Sequence, residues 1–438
     1  MRLVIAGGLV ADPEAGKAEV ADVVIEDGRI KAVGPGLTGE TGAGTRKGET
    51  VIDAAGKVVL PGLVDAHVHL REPGQEHKED IASGTAAAAL GGFTSVAAMA
   101  NTDPVIDDRV GVEFVKERAA AVGLVNVFPV GAVTKGRKGV ELAEMGEMAE
   151  AGAVAFSDDG RPVSSGEVMR LALEYAGMFG RPVISHCEDT DLSAGGVMHL
   201  GYWSTVLGLK GVPAAAEEVM VARDIILARL TGGRVHLTHL STAGSMELVR
   251  RAKEEGLAVT CDITPHHIAL TDEAVRTLDY DTSTKVNPPL RTEADREALR
   301  LAVREGLVDL IATDHAPHHL DDKDVEYDYA AFGISGLETA VGLVVTHLVG
   351  GGHLDWVGVA RLMSANPARL LGLEDKGTLR PGADADVTVI DPEAEWTVAP
   401  ETFASKGRNT PFAGLTLRGR VTETIVGGRI VVRGGRLV

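Results

Sequence analysis

Five short apolar runs between residues 58 and 315 each end in a histidine or an aspartate, and this recurrence constrains the fold more than any other feature of the chain. Val58-Val59-Leu60 and Leu63-Val64 lead to His67-Val68-His69, placed near the end of a buried strand; Val154-Ala155-Phe156-Ser157 leads to Asp158 and Asp159. Pro182-Val183-Ile184-Ser185 leads to His186, Val235-His236-Leu237-Thr238 to His239, and Leu310-Ile311-Ala312-Thr313 to Asp314 and His315. Between such runs lie helical stretches at Glu79 to Leu90, Glu141 to Ala151, Ser165 to Phe179, Ala214 to Leu230 and Arg291 to Arg304, the βα rhythm of a parallel barrel. The carboxyl ends of barrel strands open onto one face, so residues distant in sequence meet there. A polar cap where a loop begins explains any one of these strand ends. It does not explain all of them together.

A chain of 438 residues is too long for one small core and suits a barrel of about 250 residues plus a smaller unit. Both ends of the chain read as strands: Arg2-Leu3-Val4-Ile5 and Ala21 to Val33, with a hairpin turn at Asp27-Gly28, then Asp386 to Ile390 and Thr422 to Val432. The expected architecture is α/β, a (β/α)8 TIM-like barrel over residues 61–374 with a small β-sandwich domain built from residues 1–60 and 375–438. The net charge of -20 with no clustered basic stripe excludes nucleic acid as a partner. No apolar run is long enough to cross a bilayer, and the N-terminus reads as a strand and not as a signal peptide, so no membrane association and a cytoplasmic location are expected. Cys187 and Cys261 lie in apolar segments and read as buried reduced thiols.

Histidines at i and i+2 on an extended segment point to the same side, so His67 and His69 can reach one metal ion. Imidazoles and carboxylates together bind zinc while leaving a position open for water, and a carboxylate between two cations holds them close. A loosely held carboxylate must then move a proton to a leaving nitrogen, and Asp314 on the last strand is the candidate. Arg71, two residues past the second histidine, offers a planar fork for a carboxylate, with an ion pair to Glu72 as the plainer reading. His77, His199, His347 and His353 fall outside the pattern and read as surface or helix residues. His236 reads as a packed side chain, and His266 and His267 as loop-shaping residues or supports for a ligand.

The segments Asp65-Ala66-His67-Val68-His69-Leu70-Arg71-Glu72-Pro73-Gly74, Asn101-Thr102-Asp103-Pro104, Ser157-Asp158-Asp159-Gly160, His186-Cys187-Glu188-Asp189, His239-Leu240-Ser241-Thr242 and Ala312-Thr313-Asp314-His315-Ala316-Pro317-His318 resemble the amidohydrolase superfamily. Within it they are similar to the long, type I class of bacterial dihydroorotases, over nearly the whole chain. The two histidines and the final aspartate specify only the superfamily; the Arg-Glu-Pro-Gly and Asn-Thr-Asp-Pro segments carry the narrower likeness. The resemblance implies a metal-dependent hydrolase barrel and the reversible cyclisation of N-carbamoyl-L-aspartate to (S)-dihydroorotate in pyrimidine biosynthesis. It implies one or two zinc ions, a binuclear centre being expected: His67, His69 and Asp314 on one, His186 and His239 on the other, and Asp159, favoured over Asp158, as the bridge. It also implies substrate contacts from Arg71, Asn101, Asn287 and His318, with backbone groups of Phe332 and Gly333 on the ring amide, and Asp314 as the catalytic proton carrier.

Many superfamily relatives, hydantoinases included, bridge their metals with a carboxylated lysine, and the run Phe156 to Asp159 has none. Alternative readings are another cyclic amidase, allantoinase or hydantoinase, and a non-catalytic subunit that supports aspartate transcarbamoylase. Such subunits lack metal ligands, whereas every ligand position is filled here. A homodimer is expected by family habit, and association of a live enzyme with a transcarbamoylase is compatible with the sequence. Asp321 to Tyr329 forms an acidic loop that either gates the pocket or is simply solvated.

Overall fold

The computed structural model describes residues 2–37 and 49–438. Eight parallel strands form the central sheet: β1 Leu63–Val68, β2 Phe93–Ala98, β3 Asn126–Gly131, β4 Ala155–Phe156, β5 Val183–Ser185, β6 Val235–Leu237, β7 Val259–Ile263 and β8 Leu310–Ile311. Neighbours in sequence are neighbours in the sheet, as right-handed βα crossovers require. Val64, Ala97, Val130, Ala155, Ile184 and Leu310 belong to one apolar cluster with Ala368, Leu370 and Leu371. Side chains from strands all round the sheet can share a cluster only in the interior of a barrel. The seam between β8 and β1 is closed just past the strand ends, where His69 N donates to His315 O at 2.9 Å.

The helices stand where the sequence places them, at Ile81–Leu90, Met145–Ala151, Gly166–Gly177, Ala215–Thr231 and Glu293–Arg304. Three begin where a polar side chain caps the first turn: Asp80 accepts from Ser83 N, Ser165 from Val168 N, and Thr292 from Asp295 N. A larger core, including Val68, Val96, Phe156, Leu237 and Ile311, fills the space between strands and helices.

The chain ends form a nine-stranded mixed sheet with its own core of Leu3, Ile5, Val23, Ile25, Ile52, Val387, Val389 and Ile425, a sandwich beside the barrel. Asp27 and Gly28, at φ 50° and 79°, make the hairpin turn between Lys17–Glu26 and Arg29–Gly34. The apolar run from Val58 to Val64 proves to be two strands and not one. Val58–Pro61 pairs with both chain ends, while β1 starts after Gly62, where a Cβ would lie 2.2 Å from Thr94 Oγ1. His199 differs from its expected surface or helix position. It is buried in the short strand Met198–His199, where Arg291 Nη1 lies 3.2 Å from its Nδ1. Cys187 and Cys261 are buried and unpaired. No described helix is long and apolar enough to cross a membrane.

Candidate metal centre and active site

Past the carboxyl ends of β1, β4, β5, β6 and β8, six side chains converge, all the residues that the strand ends offered except Asp158 and His315. Asp159 stands at the centre with its two oxygens turned to different pairs of imidazoles. Oδ2 lies 3.2 Å from His67 Nε2 and 3.4 Å from His69 Nε2; Oδ1 lies 3.3 Å from His239 Nε2 and 3.5 Å from His186 Nδ1. Asp314 Oδ1 approaches His69 Nε2 at 3.1 Å and His67 Nε2 at 3.4 Å. Two overlapping triads, His67 with His69 and Asp314 and His67 with Asp159 and His239, are compact enough to share an ion each. His67 Nε2 is buried and has no hydrogen-bond partner among the described residues, although it faces two carboxylates. That is the position of a ligand atom awaiting a cation, and the His/Asp donor set fits zinc.

Electrostatics agree with this reading. Burial would push the Asp159 carboxyl up, but His67 and the hydrogen bonds of His186 and His239 outweigh it and hold the group well below the usual carboxylate range. Burial is likewise overcome at His67, raised to about 9 by Asp159 and Asp314, and at His186, raised to about 10 by Asp159 and Glu188. The site therefore attracts positive charge, and a cation entering it displaces those protons.

A framework behind these residues fixes their orientation. His67 Nδ1 lies 2.9 Å from Thr238 Oγ1, which donates to Asp262 Oδ2 at 2.8 Å; Asp262 also accepts from His239 N and holds His236 Nε2 at 2.7 Å. Asn101 Oδ1 accepts from His69 Nδ1 at 2.8 Å, which leaves the Nε2 lone pair facing the carboxylates. Glu217 gathers Ser241, Thr242 and Ser245 beneath the His239 loop. Asp158 does not face the centre: it accepts from Val133 N, Thr134 N and Thr134 Oγ1. Arg71, His239 and Asp314 all adopt left-handed φ, of 62°, 41° and 48°. Strain of this kind in residues other than glycine concentrates at functional sites.

A cleft of about 210 Å³ lies over the centre, lined by His69, Arg71, Asn101, Asp159, Asn287, Asp314 and His318 among others. That is small beside the ~300–1,000 Å³ of drug-sized pockets and suits a single small ring. The ion pair between Arg71 and Glu72 does not form, because Glu72 is taken by Arg118 at 2.6 Å and by Ile81 N. Arg71 is buried, donates from Nε to Pro317 O at 3.2 Å, and has no carboxylate in ion-pair contact among the described residues, so its Nη groups remain for a ligand. Burial lowers it only to about 10, against the pull of Asp314 and Asp159, so it stays charged. His318 Nε2 lies 2.8 Å from Phe332 O and 3.3 Å from Arg71 Nη2. One nitrogen cannot donate to a carbonyl and accept from a guanidinium, and the shorter contact assigns the proton to Nε2.

Asn287 Nδ2 donates to Glu188 Oε2 at 2.9 Å. Phe332 O, Gly333 N and Gly333 O are already engaged, the last two by Lys285 O and by Asn409 Nδ2. His267 holds Pro288 O through Nε2 and so shapes the Asn287 loop. Asp262, Glu217 and Asn409 went unnoticed in the sequence. For Asp262 a signal existed, a lone carboxylate inside the apolar strand β7; Asn409 gave none, since its partners lie 74 to 93 residues upstream.

The model of the dihydro-orotase-like family matches residues 56–245, which carry His67, His69, Asp159, His186 and His239, and an amidohydrolase family model matches residues 218–432, which carry Asp314. A dihydroorotase of Pelotomaculum thermopropionicum is 60% identical over 99% of both chains. The chain belongs to the dihydroorotase family. A dihydroorotase of Acetivibrio thermocellus is 52% identical over 98% of this chain and 99% of its own. Among solved structures, L-hydantoinase from Arthrobacter aurescens superposes with a TM-score of 0.89 at 25% identity, over 100% of this chain and 97% of that one. Dihydropyrimidinase from Brevibacillus agri gives 0.86 at 24% identity, over 100% and 96%. The shared barrel and sandwich are thus common to several cyclic amidases, and the sequence separates the dihydroorotase family from its structural neighbours.

Proposed function

We propose that the protein is a metal-dependent dihydroorotase, which interconverts N-carbamoyl-L-aspartate and (S)-dihydroorotate in pyrimidine biosynthesis. The observation that carries this is the unpaired Arg71 fork beside a centre whose Asp159 turns one oxygen to each pair of imidazoles. His67, His69 and Asp314 would hold one ion, His186 and His239 the other, and Asp159 would bridge. When bound, such ions polarise a carbonyl and lower the pKa of water. Arg71 and Asn101 grip the ring carboxylate, with Asn287 and His318 alongside. Orientation by this grip removes much of the entropic part of the barrier. In hydrolysis Asp314 accepts the proton of the attacking water and returns it to the ring nitrogen as the C–N bond breaks. In cyclisation it takes the proton from the carbamoyl nitrogen as that nitrogen attacks the side-chain carboxyl carbon and hands it to the departing oxygen, which takes a second proton from solvent and leaves as water.

The His/Asp donor set supports zinc as the ion, and the two faces of Asp159 support a pair of ions. A homodimer, a cytoplasmic location and association with an aspartate transcarbamoylase belong to the same proposal and rest on the family resemblance. The test is loss of dihydroorotate absorbance with metal-loaded protein, with hydantoin and allantoin as controls and metal content measured on the same sample. Rapid loss of dihydroorotate alone is expected. Turnover of hydantoin or allantoin in its place would reassign the substrate.

A further inference from the structure

Adjoining the active-site cleft at Gly160 is a second recess of about 460 Å³, lined by Arg137, Lys138, Gly160, Arg161, Glu188 and Thr190 together with Pro162. Gly160 lines both, with φ at 75°, and a Cβ there would be in ordinary contact with Arg137 Nη2 at 3.4 Å and Asn101 Nδ2 at 3.6 Å. Three of the lining residues are cations, and among the described residues none of them forms an ion pair. Arg137 donates to the backbone oxygens of Asp158 and Asp159, whose carboxylates act on its charge from beyond ion-pair contact. Glu188, the one acid in the wall, is committed to His186 and Asn287. Many cations of this acidic chain are matched, among them Arg109 with Glu150, Lys135 with Glu141, Arg170 with Glu167 and Glu174, and Arg250 with Glu305. Against a net charge of -20, a recess lined by three cations without an ion-pair partner is a local concentration of positive charge.

We propose that Arg137, Lys138 and Arg161 form an anion vestibule that gathers the doubly charged open-chain substrate and passes it to Arg71. This rests on the dihydroorotase reading, in which the open chain carries two carboxylates and the ring one. A field acts in proportion to charge, so its effect on the dianion is the square of its effect on the monoanion when both are written as ratios of binding constants.

The test uses the double variant Lys138→Ser/Arg161→Ser. Both residues are exposed and neither supports the metal centre; Arg137 is kept because it braces the Asp158–Asp159 backbone. For two charges on the order of 10 Å from the ligand at low ionic strength, KM for dihydroorotate rises about threefold and KM for N-carbamoyl-L-aspartate nearly tenfold, with kcat unchanged. The difference fades as salt approaches physiological strength. Lys17→Ser, which removes a cation of the terminal sheet, leaves both values in place. Equal changes for the two substrates, no change, or a fall in kcat alone would overturn the vestibule. Succinate, an inert dicarboxylate, tests it without turnover. Titrated calorimetrically into Arg71→Met protein, it is expected to retain weak binding that the double variant abolishes, and no binding to Arg71→Met overturns the proposal. Wild-type protein that turns over neither substrate refutes the dihydroorotase reading instead, and the succinate titration still decides the vestibule.

Discussion

Asp314 holds a left-handed backbone at φ 48° and faces His69 at 3.1 Å, so its carboxylate is fixed within reach of both the centre and the cleft. Asp314→Asn keeps an oxygen able to ligate but cannot accept a proton. Turnover is expected to fall by about 10²–10⁴, the share of a general acid–base group, while metal content by atomic absorption stays near wild type. Near-normal turnover would remove the role from Asp314. At His199 the chemistry is purely structural. An arginine only donates, so His199 Nδ1 accepts and the ring is neutral. Burial, reinforced by Arg291, lowers its pKa from 6.5 to about 4. The unfolded chain therefore binds the extra proton first, and stability is lost as pH falls from 6.5 towards 4, by about 2 kcal/mol at pH 5. His199→Asn, which retains an acceptor near the Nδ1 position, is expected to flatten that slope between pH 7 and pH 5 in thermal melts. An unchanged slope would place the acid sensitivity elsewhere. His67, His69 and Asp159 were readable because they end apolar runs; His199 was not, because a two-residue strand leaves no periodic trace.

At the level of elements, β8 and β1 are joined among the described residues by an isolated bridge and not by a regular ladder. Asp65 bridges the gap. It accepts from His67 N at 3.1 Å, from Thr313 N at 3.2 Å and from Thr313 Oγ1 at 2.5 Å, and it is fully buried. Burial raises its carboxyl to about 7 even against those bonds, a sign of how little water reaches the seam. Asp65→Ala strands three donors, and a loss of about 3 kcal/mol is expected, with lower metal occupancy because both His67 and Asp314 hang from this seam. Thr313→Val, which removes a single hydroxyl, is expected to cost about 1 kcal/mol. Equal melting points for Asp65→Ala and wild type would show that the seam is held by packing alone. The helices and the Asp27–Gly28 hairpin were legible from caps, periodicity and turn chemistry. The break at Gly62 was not, because apolar runs on both sides carry the same signal and only the pairing partners distinguish them.

For the molecule as a whole, the centre lies at the ends of five of the eight barrel strands, so ions held there would tie β1, β4, β5, β6 and β8 together. The fold class followed from strand ends and helical spacing, whereas the way the terminal sheet attaches did not. That attachment uses contacts such as Thr388 Oγ1 to Gly92 O at 2.6 Å and Thr424 Oγ1 to Ala89 O at 2.7 Å, between residues some three hundred positions apart. Anything that binds only the folded state stabilises it by mass action, about 2.7 kcal/mol at a hundredfold excess over Kd. A chelator is therefore expected to lower Tm by a few degrees, and zinc to restore it. The double variant Asp159→Ala/Asp314→Ala should melt at one temperature with or without chelator, because each of the two triads has lost its carboxylate. If wild type also ignores the chelator while its metal is shown to leave, the ion contributes to chemistry alone, and the barrel rim is held by Asp262, Glu217 and Asp65 without it.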